Sequence, residues 1–512
     1  MPNQTPGVYI EEINPFPNSI VAVDTTVPAF IGFTEKVNLD GQDLTNVPYR
    51  IESLLEFEEI FGKGHKTTYS FNTVSSTQEY DFQLNGIHYA FDTDNGTHFF
   101  LYAALKFFYE NGGGSCYIIS VGKFSDTEKG KHFESISPFT AAIDILELEK
   151  TPAMLVIPDA VLFNRDDCYH LQEYMLLHCG AQKNRIAILD IHQGYKDLDD
   201  VNFNPIDSFR NNVNSIYLGY GAAYFPWLNT NILKDTDINF ENLNIENILK
   251  MIGVFENYLS RSKVKEIKRQ LGKIGLSLYS KPKNDAEVQL RNNKIKNVHK
   301  VLIEALPDYK NMMTALLRKE NILPPSAAMA GIYASIDIQR GVWKAPANVT
   351  MKGVIAPTIE LDHAQNNDLN APTSGRSICA IRTFTGKGTL VWGARTLDGN
   401  NYEWKYIPVR RTMIMIEQSI NNGLTQLAFM PNTAATWSST KSMISNFLNN
   451  LWRQGALAGS KPSDGFFVRV GLGSTMTASD ILNGVVKIEV GIALNRPAEF
   501  MVIRIQQQTQ SA

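Results

Sequence analysis

The chain has 512 residues and a mass of 57.3 kDa, several times the size of an ordinary domain, so at least two cores are expected. Its 44% hydrophobic, 20% charged and 10% aromatic residues are the mixture of a globular protein rather than a disordered or fibrous one. With 48 Lys and Arg against 52 Asp and Glu the net charge is -4, which excludes a nucleic-acid binder driven by counterion release over a generally basic surface.

The opening MPNQTPGVYIEEINPFP has neither a basic n-region nor an apolar h-region, so no secretory signal is expected. No apolar run reaches the roughly 18 residues of a membrane-spanning helix. Cys116, Cys168, Cys179 and Cys379 are too few and too scattered for a disulfide framework, which points to folding in a reducing cytoplasm. Pro2, Pro6, Pro15, Pro17 and Pro28 forbid a helix over the first 30 residues and suit an extended arm that enters a strand at Ala29 to Thr34. Residues 63–98, polar and rich in Ser, Thr, Asn and Gly, read as a surface insert carrying a hairpin.

FFLYAALKFFYE, 99–110, predicts a buried helix stopped by Asn111 and Gly112 to Gly114, and CYIISV, 116–121, predicts the strand after it. MLVIPDA (154–160) and RIAILDI (185–191) flank a helical stretch around Cys168 to Leu177 and form a βαβ pattern. Between Pro226 and Pro324 long amphipathic stretches predict a helical insert. Within it, Arg261 to Lys300 carries 12 Lys or Arg against Glu266, Asp285 and Glu287, a solvated helix face or a contact for phosphate or an acidic partner. After Gly341, strands are expected at LVWGA and YIPV and helices at Arg410 to Asn422 and Ser439 to Leu457. Alternating strands follow in GFFVRVGL, VVKIEVGIAL and EFMVIRIQQQ. No internal repeat or low-complexity linker is present.

Chemical motifs are scarce. Thr385-Gly386-Lys387-Gly388-Thr389 has Ile381 where a phosphate-binding loop needs its first Gly, so no nucleotide is implied. Gly112 to Gly114 follow a helix and precede a strand, the reverse of a dinucleotide fingerprint. Cys168, His170, His178 and Cys179 share one helix, where His170 and His178 stand about 12 Å apart, too far for one zinc ion. Neither HExxH nor GxSxG occurs. The enzymatic alternative is Asp159 and Asp190, each at the carboxyl end of an apolar strand, where two carboxylates could hold Mg²⁺ for a metal-dependent phosphohydrolase. The plain reading is a turn at Asp159 and a strand end at Asp190. On that reading the chain has no catalytic residue, no cofactor and no metal.

PGVYIEEI, FFYENGGGSCYIISV, LPPSAAMAGIYASIDIQRGVWKAPAN (323–348), LVWGARTL (390–397), YIPVRRTMIMIEQSI, FMPNTAATW, NFLNNLWRQGALAG and IEVGIALNRPAEFMVIRI occur in that order. Together they resemble the sheath proteins of contractile phage tails and phage-tail-like injection systems. The match covers the first 60 residues, roughly 99 to 228, and nearly everything from 323 to 507; the two inserts and CAIRTFTGKGTLVWGARTL depart from it. The resemblance implies a mixed α/β, or α+β, multidomain fold. An inner α/β domain is built from amino- and carboxy-terminal parts, with extended arms at both ends and an inserted outer domain. The expected divisions are an arm over 1–28, an α/β domain over 29–228 with the insert near 63–98, a mainly helical outward-facing insertion over 229–322, a carboxy-terminal domain over 323–496 and a strand arm over 497–512.

The resemblance further implies a structural subunit, not an enzyme. Such subunits polymerise as six-subunit rings stacked helically around an inner tube and contract to drive the tube through a target membrane without nucleotide hydrolysis. The implied partners are other copies of the chain, the inner tube protein, and baseplate and terminal cap proteins, with no nucleic acid and no direct membrane insertion. Assembly in the bacterial cytoplasm is implied, within a phage tail or a tail-like particle that is released or membrane-anchored. The composition and long inserts lean towards an injection system. Arms in this family join a sheet on a neighbour, which is β-augmentation; Val8, Tyr9, Ile10, Phe500, Val502 and Ile505 are the residues expected to set its register. Lys441 and Arg453, beside the apolar stripe Ile444, Phe447, Leu448 and Leu451, and the pair Arg410 and Arg411 are the candidates to face the tube, with ordinary surface or intramolecular ion pairing as the alternative. Trp343, Trp392, Trp404, Trp437 and Trp452 are expected to fill cores.

Overall fold

Strands buried on both faces need apolar runs without polar alternation, and PAFIGFT, CYIISVGK, MLV, IAILD and GAAYF are such runs. The computed structural model describes residues 19–499 other than 76–77, 85, 94–97, 127–130, 132, 199–202 and, within 244–284, all but 265 and 269. The chain separates into two compact units, a larger one from 26–339 and 346–407 and a smaller one from 1–25, 340–345 and 408–512.

The larger unit is built on a nine-stranded sheet. Its strands are β1 (Pro28–Thr34), β2 (Tyr49–Ile51), β3 (Cys116–Lys123), β4 (Met154–Val156), β5 (Ile186–Asp190), β6 (Gly221–Phe225), β7 (Val349–Thr350), β8 (Cys379–Phe384) and β9 (Gly388–Val391), in the spatial order β7-β9-β8-β6-β5-β4-β1-β3-β2. The six inner strands run parallel, with Phe30 opposite Ile118 and Ala187 opposite Leu155, while β2, β7 and β9 pair antiparallel at the edges. Every residue of β1, β4, β5 and β6 is buried, as a parallel sheet covered on both faces requires. Helix α1 (Leu101–Glu110) packs against β1. It stops where expected: Gly112 adopts φ +91°, a left-handed conformation open to glycine, and Gly113 N–H returns to the Phe108 carbonyl at 3.0 Å. Helix α2 (Arg165–Gln182) starts at Asn164, whose side chain accepts from the N–H groups of Asp166 and Asp167.

Residues 69–93 form a second, antiparallel sheet of Tyr69–Val74, Ile87–Thr93 and Phe82–Leu84, with the middle-range strand 87–93 at its centre. Period-two alternation puts Tyr69, Phe82, Leu84 and Phe91 on one face. That face is covered by α3 (Asp285–Ala305) and α4 (Pro307–Glu320), and one core joins those four residues to Ile238, Phe240, Leu243, Ile295, Val298, Leu302, Leu306, Tyr309, Met312, Met313 and Leu316. Polar bonds stitch the same seam: Lys319 Nζ to Asp81 at 2.9 Å, Tyr69 Oη to Glu320 at 2.5 Å, and Asn242 Nδ2 to the Thr67 carbonyl at 3.0 Å. The surface hairpin expected near 63–98 is therefore half of a shared core, because its apolar face is too large to leave in water.

Helix α5 (Ser326–Arg340) follows, all but Arg340 in the larger unit, and the smaller unit contains α6 (Ile407–Thr425) from Pro408 on, α7 (Ala434–Arg453), β10 (Phe466–Val470) and β11 (Ile488–Ile492). YIPV is not a strand: Ile407 starts α6, and Pro408 sits where a helix tolerates proline because the first N–H groups have no partner. The core of the smaller unit gathers Ile20, Val342, Met415, Ile416, Ile444, Phe447, Leu448, Leu451, Ala456, Leu457 and Val468. The tryptophans fill cores less than expected, with Trp343 and Trp452 only partly buried at this core and Trp392 40% exposed. The strand expected over EFMVIRIQQQ lies outside the described residues apart from Glu499.

Candidate assembly surfaces

FFVRV and IEVGI alternate, and the smaller unit uses both faces of the alternation. β10 and β11 pair antiparallel, Phe466 opposite Ile492, Val468 opposite Val490 and Val470 opposite Ile488. Those six side chains are buried or partly buried, and five of them, all but Val470, pack into the core under α7. The opposite face carries Phe467, 43% exposed, with the Arg469 guanidinium 4.6 Å from its ring and Glu489 3.6 Å from Arg469. Gly491 lies under the Phe467 ring, where a Cβ would come within 2.1 Å of Cε1. Among the described residues each of these two strands has only the other as a ladder partner. A two-stranded sheet is marginal by itself, and a sheet edge without a ladder partner offers its N–H and C=O groups to an added strand. Val8, Tyr9, Ile10, Phe500, Val502 and Ile505 lie outside the described residues.

On α7 the stripe Ile444, Phe447, Leu448 and Leu451 is buried, as its spacing predicts, and Lys441 and Arg453 are exposed. Arg410 and Arg411 differ. They are 7% and 4% exposed, and Arg411 Nη2 donates to the Thr25 carbonyl at 3.0 Å, so neither presents its charge on the surface of the subunit. The burial follows from position: both lie in the first turn and a half of α6, on a helix whose apolar residues Met415 and Ile416 enter the core.

Asp159 and Asp190 are both buried, and each serves a helix amino terminus. Asp159 Oδ1 accepts the Phe100 N–H at 2.6 Å at the head of α1. Asp190 Oδ1 accepts the Ser326 N–H at 2.8 Å at the head of α5, and the Ser326 hydroxyl donates to Oδ2. Burial pushes both carboxyls up to about 7, the bonds from those helix heads pulling the other way. Neither carboxylate lines the cleft of about 1080 Å³ formed by Arg165, His192, Tyr195, Lys196, Trp227 and Lys319 among others. Among the described residues no group of three or more His, Cys, Asp or Glu side chains is arranged to hold a metal ion. Along α2, Cys168, His178 and Cys179 are buried while His170 is exposed, and burial lowers His178 to about 4.

Comparison with known proteins decides what such a chain is. Residues 229–397 match the phage tail sheath protein central domain and residues 400–508 the phage tail sheath C-terminal domain, together more than half of the chain. The chain belongs to the contractile tail sheath family. A prophage major tail sheath protein of Pseudomonas aeruginosa (strain UCBPP-PA14) is 30% identical over 103 residues, 20% of this chain and 26% of that relative, so the alignment spans about a quarter of the relative's length. Among solved structures, the helical sheath of the anti-feeding prophage in its contracted state is 26% identical with a TM-score of 0.60, covering 99% of this chain and 100% of that one. The sheath of the extracellular contractile injection system PVC, also contracted, shares the fold at 24% identity with a TM-score of 0.59, covering 99% of each chain. Among the described residues of this sheath-family chain, no helix is long and apolar enough to cross a membrane.

Sequence reading missed Ser419 and Gly423, which hold residues 19–25 on α6. The available signal was a hydroxyl and a glycine four residues apart on a helix rich in Met and Ile.

Proposed function

We propose that this chain is the sheath subunit of a phage-tail-like contractile injection particle, polymerising as six-subunit rings stacked helically around an inner tube. The reading is carried by the likeness to the anti-feeding prophage sheath over 99% of the chain, combined with the two-stranded sheet β10 and β11, which has no third strand among the described residues. In this reading the amino-terminal arm of one subunit and the carboxy-terminal strand of another extend that sheet in a third, with Val8, Tyr9, Ile10, Phe500, Val502 and Ile505 fixing register. Main-chain pairing suits the task because it is tolerant of sequence and repeats along the lattice. If about five bonds form per arm, at roughly 0.5–1.5 kcal/mol net each, every link contributes several kcal/mol. Lys441 and Arg453 on α7 face the tube, where solvated charges can be exchanged during contraction. The free energy of firing is stored in subunit packing at assembly, without nucleotide hydrolysis or any catalytic residue. Baseplate, terminal cap and tube proteins are the partners, assembly takes place in the bacterial cytoplasm, and the particle is released or membrane-anchored. The five segments read from the sequence, arms at 1–28 and 497–512 around domains at 29–228, 229–322 and 323–496, are the divisions this reading uses.

The phosphohydrolase alternative is disfavoured by what Asp159 and Asp190 touch. Each carboxylate is already engaged by a helix head inside the fold. Electron microscopy of the purified chain tests the proposal, with wide hollow tubes expected from the full chain and none after removal of residues 1–12 or of the strand from Glu499 to Gln508. Tubes of normal dimensions from either truncation would overturn arm exchange; a chain that stays monomeric and hydrolyses phosphate esters with added Mg²⁺ would overturn the sheath reading.

A further inference from the structure

Residues 19–25 form no helix or strand of their own, yet they are held in one place along α6. Three contacts do this. Ile20, 7% exposed, packs over Gly423, where a Cβ would come within 2.8 Å of its Cγ1. The Val23 N–H donates to Ser419 Oγ at 3.0 Å, and that hydroxyl donates in turn to the Met415 carbonyl at 2.6 Å, which fixes its lone pairs towards Val23. The Thr25 carbonyl accepts from Arg411 Nη2 at 3.0 Å.

The spacing of these contacts is regular. Arg411, Met415, Ser419 and Gly423 follow one another at intervals of four, the row along which a helix presents a continuous groove. From 411 to 423 this row covers about 18 Å at 1.5 Å per residue. Ile20 to Thr25, laid out at about 3.3 Å per residue, covers about 16 Å. Thr25 meets the start of the row, Val23 its later part and Ile20 its end, so the strap runs antiparallel to the helix. Main-chain pairing alone would leave the register to the side chains. Here one hydroxyl, one guanidinium and one missing Cβ admit a single register.

We infer that Arg411, Ser419 and Gly423 are positioning residues that clip the root of the amino-terminal arm to α6 and so set the place and direction from which residues 1–18 leave the subunit. This rests on the arm-exchange reading above. An arm whose root slides along the helix reaches its acceptor sheet with a shifted register, and a one-residue slip turns every side chain to the wrong face.

The test uses the full chain carrying Gly423→Ala, with Ser419→Ala as a second variant that adds no atom. Alanine inside a helix favours the helix, so Gly423→Ala is expected to keep or raise the thermal midpoint while pushing Ile20 off its seat. Hydrogen exchange at the Val23 amide should accelerate roughly fivefold or more in both variants, as expected for the loss of one hydrogen bond. Tube yield should fall with it. Combining Gly423→Ala with Ile20→Ala, which removes the clashing Cγ1, should restore slow exchange and tubes together, an outcome that simple loss of stability does not produce. Unchanged exchange at Val23 overturns the clip. Faster exchange with tubes of normal yield and dimensions overturns its positioning role. The deletion of residues 1–12 separates the two ideas: if it abolishes tubes while Gly423→Ala does not, only the clip fails, and if both leave tubes intact, arm exchange itself fails.

Discussion

Excising residues 234–320 alone should unfold the protein, whereas excising both inserts should not. The four residues Tyr69, Phe82, Leu84 and Phe91 are 2%, 6%, 6% and 5% exposed in the core they share with 238–316. Removing 234–320 uncovers them all. At about 1.5–3 kcal/mol per large apolar side chain, the loss is roughly 6–12 kcal/mol, as large as the whole stability of a typical domain, about 5–15 kcal/mol. Both inserts are closed at their roots, which is what makes joint excision possible. Thr67 Oγ1 lies 3.3 Å from His98 Nδ1, and the His65 and Phe99 rings are 5.0 Å apart, so 65 and 98 can be rejoined by a short Gly/Ser link. Leu233 N–H donates to Asn321 Oδ1 at 2.9 Å and Asn321 Nδ2 to the Leu233 carbonyl at 3.0 Å, so 233 and 321 can be rejoined as well. The small sheet of Leu228–Thr230, Ile322–Leu323 and Val354–Pro357 remains on the core side of both cuts. Expression of the two variants beside the wild type, followed by size exclusion and thermal unfolding, checks the reasoning. The single deletion of 234–320 is expected in the insoluble fraction, and the double deletion of 66–97 and 234–320 as a soluble, cooperatively melting chain. A soluble, cooperatively melting single deletion would refute the shared core.

Two further outcomes follow from buried and exposed charge. Asp159 and Asp190 are raised from an ordinary 3.8 to about 7 in the folded chain, so the unfolded chain releases their protons first as pH rises. The stability these two groups contribute is greatest below about pH 4 and is lost towards pH 7, by up to about 4 kcal/mol per group; urea unfolding at pH 5 and pH 8 should show the wild type losing stability relative to Asp159→Asn/Asp190→Asn as pH rises, and a difference between the two chains that is the same at both pH values would refute it. That double variant should still form tubes at neutral pH, seen by microscopy. Lys441→Glu and Arg453→Glu change exposed side chains, so their thermal stability should stay within about 0.5 kcal/mol of the wild type while co-sedimentation with inner tube protein is lost; undiminished co-sedimentation would place the tube contact elsewhere.

The sequence by itself determined the local elements wherever a single chemical rule sufficed. Apolar runs without alternation made β1, β3, β4 and β5, Asn111 and Gly112 ended α1, and the stripe from Ile444 to Leu451 faced inward because helical spacing leaves it no alternative. The ordered motifs from PGVYIEEI to RPAEF also sufficed to recognise the family. Tertiary structure alone decided what distant segments do to one another. The apolar face of 69–93 looks like a surface hairpin until helices more than 200 residues later cover it, because alternation names a buried face without naming its cover. Arg410 and Arg411 read as surface charge until packing places them inside. YIPV satisfies a strand pattern and a helix start equally, and only the commitment of Ile407 to α6 separates them. Asp159 and Asp190 have the same one-letter context as catalytic carboxylates; they are helix anchors because Phe100 and Ser326, 59 and 136 residues away, bring unpaired N–H groups to them, a pairing that no local pattern encodes.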